Sequence, residues 1–136
     1  MSEANRAVVD RFGEEVWNKG NLAAVDELVA GDFVGYGPGR GITRGPEALK
    51  RAVNRMRTAF PDLLFVVEDT VAEGDKVVTR WTGQGTHRGE WRGIAPSGRV
   101  VTFTGIAIRR LADGKIAERW VNVDYTGLLR QIGGSR

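Results

Sequence analysis

The chain has 136 residues, 41% hydrophobic and 27% charged, enough for one core in a single domain over residues 1–136. Cysteine is absent and histidine occurs once, which excludes disulfides, thiol nucleophiles and the usual His/Cys zinc sets. The formal charge is +3, with arginine spread along the chain instead of gathered on one face; a nucleic-acid partner is not expected.

The first ten residues show neither a basic start nor an apolar run, so the expectation is a cytoplasmic protein without a secretory signal. The longest apolar run, 63–67, is too short for a membrane span. Residues 3–18 read as a helix, with Ser2 as cap and Val8, Val9, Phe12, Val16 and Trp17 as its stripe. Gly20 ends it, and Asn21 is placed to cap a second, shorter helix with Leu22, Val25, Leu28 and Val29 inward. Residues 31–45 form a Gly-rich connection. Pro46 suits the first turn of a third helix, whose stripe is Leu49, Ala52, Val53, Met56 and Phe60 and which Pro61 stops. Lys50, Arg51, Arg55 and Arg57 read as the solvated face of that helix.

The pattern then changes to period two. Strands are expected over 63–72, 76–87 and 90–94, with turns at Gly74-Asp75 and at Pro96-Ser97-Gly98. The most informative stretch follows. Asp113-Gly114 is a two-residue hairpin signal, because both turn positions need φ > 0. One face of the outgoing arm carries Phe103, Gly105, Ala107, Arg109 and Leu111, and one face of the return arm Ala117, Arg119, Val121 and Val123. The opposite face carries Thr104, Ile106, Ile108 and Arg110, then Ile116, Glu118, Trp120, Asn122 and Asp124. Both faces hold apolar residues, so both are expected to be covered. A short helix over 126–131 closes the chain. Three helices followed by an antiparallel meander give an α+β fold, with the helices on one face of a strongly curved sheet.

The residues allow little chemistry of the familiar kinds. A Ser-His-acid triad lacks a placed serine, since Ser2 and Ser135 are terminal and Ser97 sits in a turn. The Gly-rich connection contains neither phosphate-loop nor dinucleotide spacing, so no cofactor is expected, and no metal. Cofactor-free acid–base or electrostatic chemistry remains, or plain ligand binding. Trp17, Phe33, Trp81, Trp91 and Phe103 are candidates to line a pocket for a flat apolar ligand, although Trp17, like Phe60, reads first as core packing.

Phe60-Pro61-Asp62, Gly85-Thr86-His87-x-Gly89, Pro96-x-Gly98, Asp113-Gly114-Lys115-Ile116 and Gly127-Leu128-Leu129-Arg130-Gln131 together resemble the SnoaL-like polyketide cyclases of the nuclear-transport-factor-2-like superfamily. The resemblance runs from Asn5 to Gly133. It implies a cone of helices and curved, mostly antiparallel sheet around an internal apolar cavity, in a homodimer formed through the sheet. It also implies an acid/base Asp directly after the Trp or Arg of the last strand and a pocket His on the strand before. The matching positions here are Val121 and Ala107, both expected to face the pocket, and neither can carry a proton.

Other residues take up the candidacy. Arg119, on the same face, is placed to stabilise an enolate or bind a carboxylate; a salt bridge to a neighbouring strand weighs about evenly. Asp124 is a candidate base, but capping the last helix is the favoured reading. His87, as the single histidine, is a candidate base, while its place in a segment shared across the family favours a structural role. Tyr36 is a candidate hydrogen-bond donor in the loop over the mouth, with lid packing preferred. Of Arg80 and Trp81 only one can face inward, and Trp81 is the better choice. The reading is therefore a cofactor-independent pocket protein acting on a hydrophobic, carbonyl-bearing small molecule by cyclisation or isomerisation. The alternatives are a non-catalytic binder of a small hydrophobic ligand, and a dimeric interaction module using the sheet face that bears Trp120.

Overall fold

A computed structural model describes residues 2–133, so Ser135 falls outside the described residues. Helix α1 (Ser2–Phe12) continues without a break into a π-helical turn over Gly13–Asn18. Helices α2 (Ala23–Leu28) and α3 (Gly45–Ala59) follow, and α4 (Tyr125–Gln131) closes the chain. The strands are β1 (Val29–Tyr36), β2 (Ile42–Arg44), β3 (Leu64–Glu73), β4 (Lys76–Thr86), β5 (Val100–Ala112) and β6 (Lys115–Val123). They form one curved sheet in the order β2-β1-β6-β5-β4-β3, antiparallel except where β1 runs parallel to β6. Helix α1 packs on β3, β4 and β6, and α3 on β1 and β2. The expected α+β architecture is what the chain adopts.

The β5–β6 hairpin turns at Asp113 and Gly114, with φ of 52° and 76°. It pairs Gly105 with Val123, Ala107 with Val121 and Arg109 with Arg119 across the concave face. Near the turn the register shifts, so that Leu111 opposes Ile116 while Arg110 opposes Glu118. This bulge at Ala117 turns Ile116 into the core, where strict alternation puts it on the outer face.

Four more local expectations change. The Gly-rich connection holds strands β1 and β2; its inward positions Phe33 and Gly35 are buried, and the glycines hide the alternation. Residues 90–94 are a two-residue turn instead of a strand: Trp91 and Ile94 exchange backbone hydrogen bonds around Arg92 and Gly93, whose φ values are 52° and 82°. The α2 cap position is Leu22, and the Asn21 side chain donates instead to Glu15 Oε1 at 3.3 Å. Ser2 is itself the first residue of α1.

The basic set on α3 is also not one solvated face. Lys50 pairs with Asp26 at 2.8 Å and Glu47 at 3.0 Å. Arg57 instead turns its guanidinium onto backbone carbonyls. Its Nη1 donates to Trp17 O (2.7 Å), Asn18 O (3.2 Å) and Leu63 O (3.3 Å), and Nη2 to Pro61 O (3.2 Å). These carbonyls lie at the end of the π-helical turn and just before β3, and Asn18 adds a two-way bond to the backbone of Phe65. Replacing Arg57 with Leu strands these acceptors, and the expected loss is about 2–3 kcal/mol in chemical denaturation, with the slope unchanged.

Candidate active site

A pocket of about 1040 Å³ lies between the helices and the concave face of the sheet. Val9, Gly13, Trp17 and Asn18 come from the first helical segment. Thr79, Trp81, Phe103, Arg109, Arg119, Val121 and Val123 come from β4, β5 and β6. Gly37, Pro38 and Gly41 of the β1–β2 turn, the Trp91-Arg92 turn and Tyr125 complete the lining. The volume suits a ligand of several fused or linked rings.

One wall is a continuous aromatic surface. Trp81 stands edge-on to Phe65, with centroids 4.6 Å apart, and to Phe103 at 6.0 Å; Phe65 meets Trp17 at 5.1 Å. Gly105 makes this possible, because a Cβ there would run into the Trp81 indole. Gly83 plays a similar part for Phe65 and Phe103, with a Cβ there only 2.8 Å and 2.9 Å from their rings.

The charged residues are unusual. Arg109 is 9% exposed, and its Nη1 donates to Thr79 Oγ1 at 3.1 Å. Its guanidinium lies 5.8 Å from the Phe12 ring centroid. Burial, with the charge of Arg119 beside it, pushes Arg109 down to about 9. Burial also lowers Arg119, partly countered by Tyr125. Arg119 Nη2 reaches Gly37 O at 3.4 Å, its Cζ sits 5.9 Å from the Phe33 ring, and its Nε is buried without a partner. Among the described residues no carboxylate lies within 4 Å of either guanidinium. The lining carboxylates are Asp10, Glu14 and Glu90.

Tyr125 stands just past the Asp124 cap, edge-on to Trp91 at 5.2 Å, with the Arg92 guanidinium 4.5 Å above its ring. Desolvation raises its phenol above the ordinary tyrosine value, against opposing pulls from Arg92, Arg119 and Arg55. It is therefore a protonated hydrogen-bond donor at neutral pH.

The sequence candidates divide. Trp17, Trp81, Trp91, Phe103, Arg119 and Val121 are together in the lining. Ala107 is fully buried on the same face but does not line the space, since the bond from Arg109 to Thr79 brings a guanidinium level with it. Phe33 is core, lying behind Arg119. His87 is outside the lining and 0% exposed; its Nδ1 accepts from Ser97 N–H at 3.1 Å and lies 3.0 Å from Ser97 Oγ, which leaves the ring proton on Nε2. Asp124 caps α4, accepting from Gly127 N–H at 2.9 Å. Tyr36 stacks on Trp120 at 5.9 Å, outside the lining. Arg80 is exposed and bonded to Asp69, so Trp81 is the inward member of that pair.

Arg109 and Tyr125 line the pocket although the sequence did not single out either as a site candidate. Arg109 shares the alternation set of Arg119, which was a readable signal. Tyr125 follows the strand and has no periodicity to mark it.

The model of the SnoaL-like polyketide cyclases matches residues 7–132. The chain belongs to the SnoaL-like polyketide cyclase family. It is 31% identical over 135 residues to the aklanonic acid methyl ester cyclase of Streptomyces galilaeus, covering 98% of this chain and 92% of that one. It is 29% identical over 119 residues to the nogalonic acid methyl ester cyclase of Streptomyces nogalater, covering 86% and 89%. Among solved structures, a SnoaL-like protein from Jannaschia sp. CCS1 superposes with a TM-score of 0.91 at 26% identity, over 99% of this chain and 95% of that one. TsrD from Streptomyces laurentii superposes with a TM-score of 0.87 at 30% identity, over 98% of each chain.

In this SnoaL-like chain, the space over Gly105 is what holds the aromatic wall in place. Gly105→Ala should push Trp81 from its position and cost about 1–3 kcal/mol, read by thermal unfolding together with a change in tryptophan emission.

Proposed function

We propose that the protein is a cofactor-independent cyclase that closes a ring in a polyketide-type substrate carrying several carbonyls. The observation that carries this reading is Arg119, a pocket cation without a carboxylate partner among the described residues, with the protonated phenol of Tyr125 in the same lining. In an intramolecular aldol step a proton leaves a carbon between two carbonyls, and the electron pair delocalises onto oxygen as an enolate. That carbon then bonds to a second carbonyl carbon, whose π pair becomes an alkoxide and takes up a proton. Arg119 lowers the cost of the enolate, in a site where a fixed charge acts more strongly than in water. Tyr125 donates a hydrogen bond to the carbonyl under attack and a proton to the alkoxide. Asp10 and Glu14, four residues apart on the helical wall, are the carboxylates placed to accept the first proton. The aromatic wall of Trp81, Phe103 and Phe65 aligns the folded chain of the substrate. His87, Asp124 and Tyr36 take structural parts in this scheme.

The test uses aklanonic acid methyl ester, the substrate printed in the relative's name. Wild-type protein should convert it to an isomer of unchanged mass. Arg119→Met and Tyr125→Phe should each lower kcat about 10²-fold with affinity little changed. Because burial raises Tyr125, its ionisation should not depress the rate below about pH 10. Val121 on the pocket wall favours a second reading, a non-catalytic binder, since a family acid/base is expected at that position. Binding of the ester without any isomer formed, and affinity lost on Arg119→Met, would select that reading.

The same proposal includes a homodimer through the outer sheet face in the cytoplasm. Ile106 and Val66 stand 46% and 47% exposed on that face, Ile106 on the strand next to that of Trp120 and Val66 on the far edge strand. Ile106→Glu should convert the dimer to a monomer in light scattering; a wild-type monomer at micromolar concentration would refute the dimer.

A further inference from the structure

Among the described residues, the arginine–carboxylate pairs lie at the surface. On the outside, Arg11 pairs with Glu27, Arg80 with Asp69 and Arg110 with Glu118 at 2.7 Å. Inside, where an unpaired charge is most costly, Arg109 and Arg119 have no acid. They oppose each other directly across β5 and β6, so their side chains leave the sheet about 5 Å apart and on the same face. Both line the pocket. Thr79 Oγ1 is the one side-chain acceptor bonded to Arg109; Arg119 reaches only Gly37 O, at the limit of hydrogen-bond length, and keeps a buried Nε–H without a partner. The lining carboxylates Asp10 and Glu14 are exposed and do not come within 4 Å of either guanidinium, and Glu90 accepts from Gly93 N–H in its own turn.

Two like charges side by side, Arg109 buried and Arg119 partly so with a buried Nε–H left over, form half of an ion cluster. The missing half is an anion with at least two acceptor oxygens in a plane, which the guanidinium forks would receive pairwise. Its surroundings are apolar: the Phe12 and Phe33 rings behind the guanidiniums, Val121 and Trp81 beside them. We infer that the pocket selects an aromatic or polyketide-like ligand bearing a free carboxylate, clamped between Arg109 and Arg119. This rests on the reading of the pocket as the substrate site and deepens it. The relatives are named for methyl esters, which are neutral and offer a weaker acceptor. A preference for the acid would set this chain apart from them. The lowered value of Arg109 has its cause in burial and in the neighbouring charge of Arg119.

The experiment compares 2-naphthoate with methyl 2-naphthoate, two probes alike in the arene and different in charge. Each is titrated into the full chain at neutral pH, followed by calorimetry and tryptophan emission. The expected result is binding of the acid at least about tenfold tighter than the ester, and a weaker preference at high salt. Arg109→Met and Arg119→Met should bring the ratio near one. Both variants should fold, since an apolar side chain of similar length replaces an unpaired buried charge; Arg109→Met should raise the thermal midpoint of the free protein. Arg109→Lys and Arg119→Lys provide a charged control, in which part of the preference returns. Equal or tighter binding of the ester overturns the inference, as does an acid preference that survives both methionine variants. Inorganic phosphate displacing 2-naphthoate at equal concentration also overturns it, by showing an anion hole indifferent to the arene. Ester cyclisation without acid preference would sink this inference alone and leave the proposed reaction standing.

Discussion

The register of the β5–β6 hairpin is the constraint on which the site depends. It is set by Asp113 and Gly114, which accept the left-handed conformation that a two-residue turn requires, together with the bulge at Ala117 that brings Arg119 opposite Arg109. A slip of one residue would send Ile106, Ile108 and Trp120 to the concave face and Arg109 and Arg119 to the outside. In the register observed, the concave face carries Gly105, Ala107, Val121 and Val123 around the two arginines. These side chains are too small to fill the distance to α1 and α3. The hollow is thus a property of side-chain volume on one face of one hairpin, and the helices supply its other wall.

How much of this could be read in advance follows from how each feature is encoded. Alternation along β5, and along β6 beyond the bulge, was legible, and with it the shared face of Arg119 and Val121. The bulge at Ala117 was not, since Ile116 sits in an apolar stretch that either phase accommodates. Strand β1 was hidden because Gly31 and Gly35 give no hydrophobic signal. Gly35 has to be small: a Cβ there would come within 2.8 Å of Arg119 Nη2. Phe33 and His87 were placed on aromatic or titratable character alone, which says nothing about which side of the sheet a residue faces. Tyr125 was passed over because it lies beyond the last periodic residue, where only the path of the chain after the Asp124 cap decides its direction.

The arginine pair breaks the rule that buried charge is matched by buried countercharge, and such breaks concentrate at functional sites. Its retention has to be supported by contacts that offset only part of the cost: a hydroxyl from Thr79, one backbone carbonyl, and two phenyl faces, each worth on the order of 1 kcal/mol. Desolvating a cation costs several kcal/mol per ion. The rest of the molecule carries the difference through the two apolar clusters that flank the pocket, one built on Val16, Phe33 and Leu49 and the other on Phe60, Leu63 and Leu128. The site is therefore the part of the fold that gains most from being filled.

That gain sets a limit on catalysis. Charge complementarity satisfied fully by the bound substrate stabilises ground and transition states alike and leaves the chemical barrier where it was. The two arginines escape this only if they do different work, and their surroundings differ in the required way. Arg109 is the more deeply buried, tied to Thr79 and braced by Phe12, a fixed anchor for charge already present on the ligand. Arg119 shares the lining with Tyr125 and keeps an unused Nε–H, so it has capacity left for charge that appears only during reaction. A carboxylate held mainly by Arg109 would bring the reacting carbonyls toward Arg119 and the phenol of Tyr125. In the proposed reaction the binding energy of the first arginine would orient the substrate, and the second would act on the enolate, whose negative charge does not exist until the proton has left.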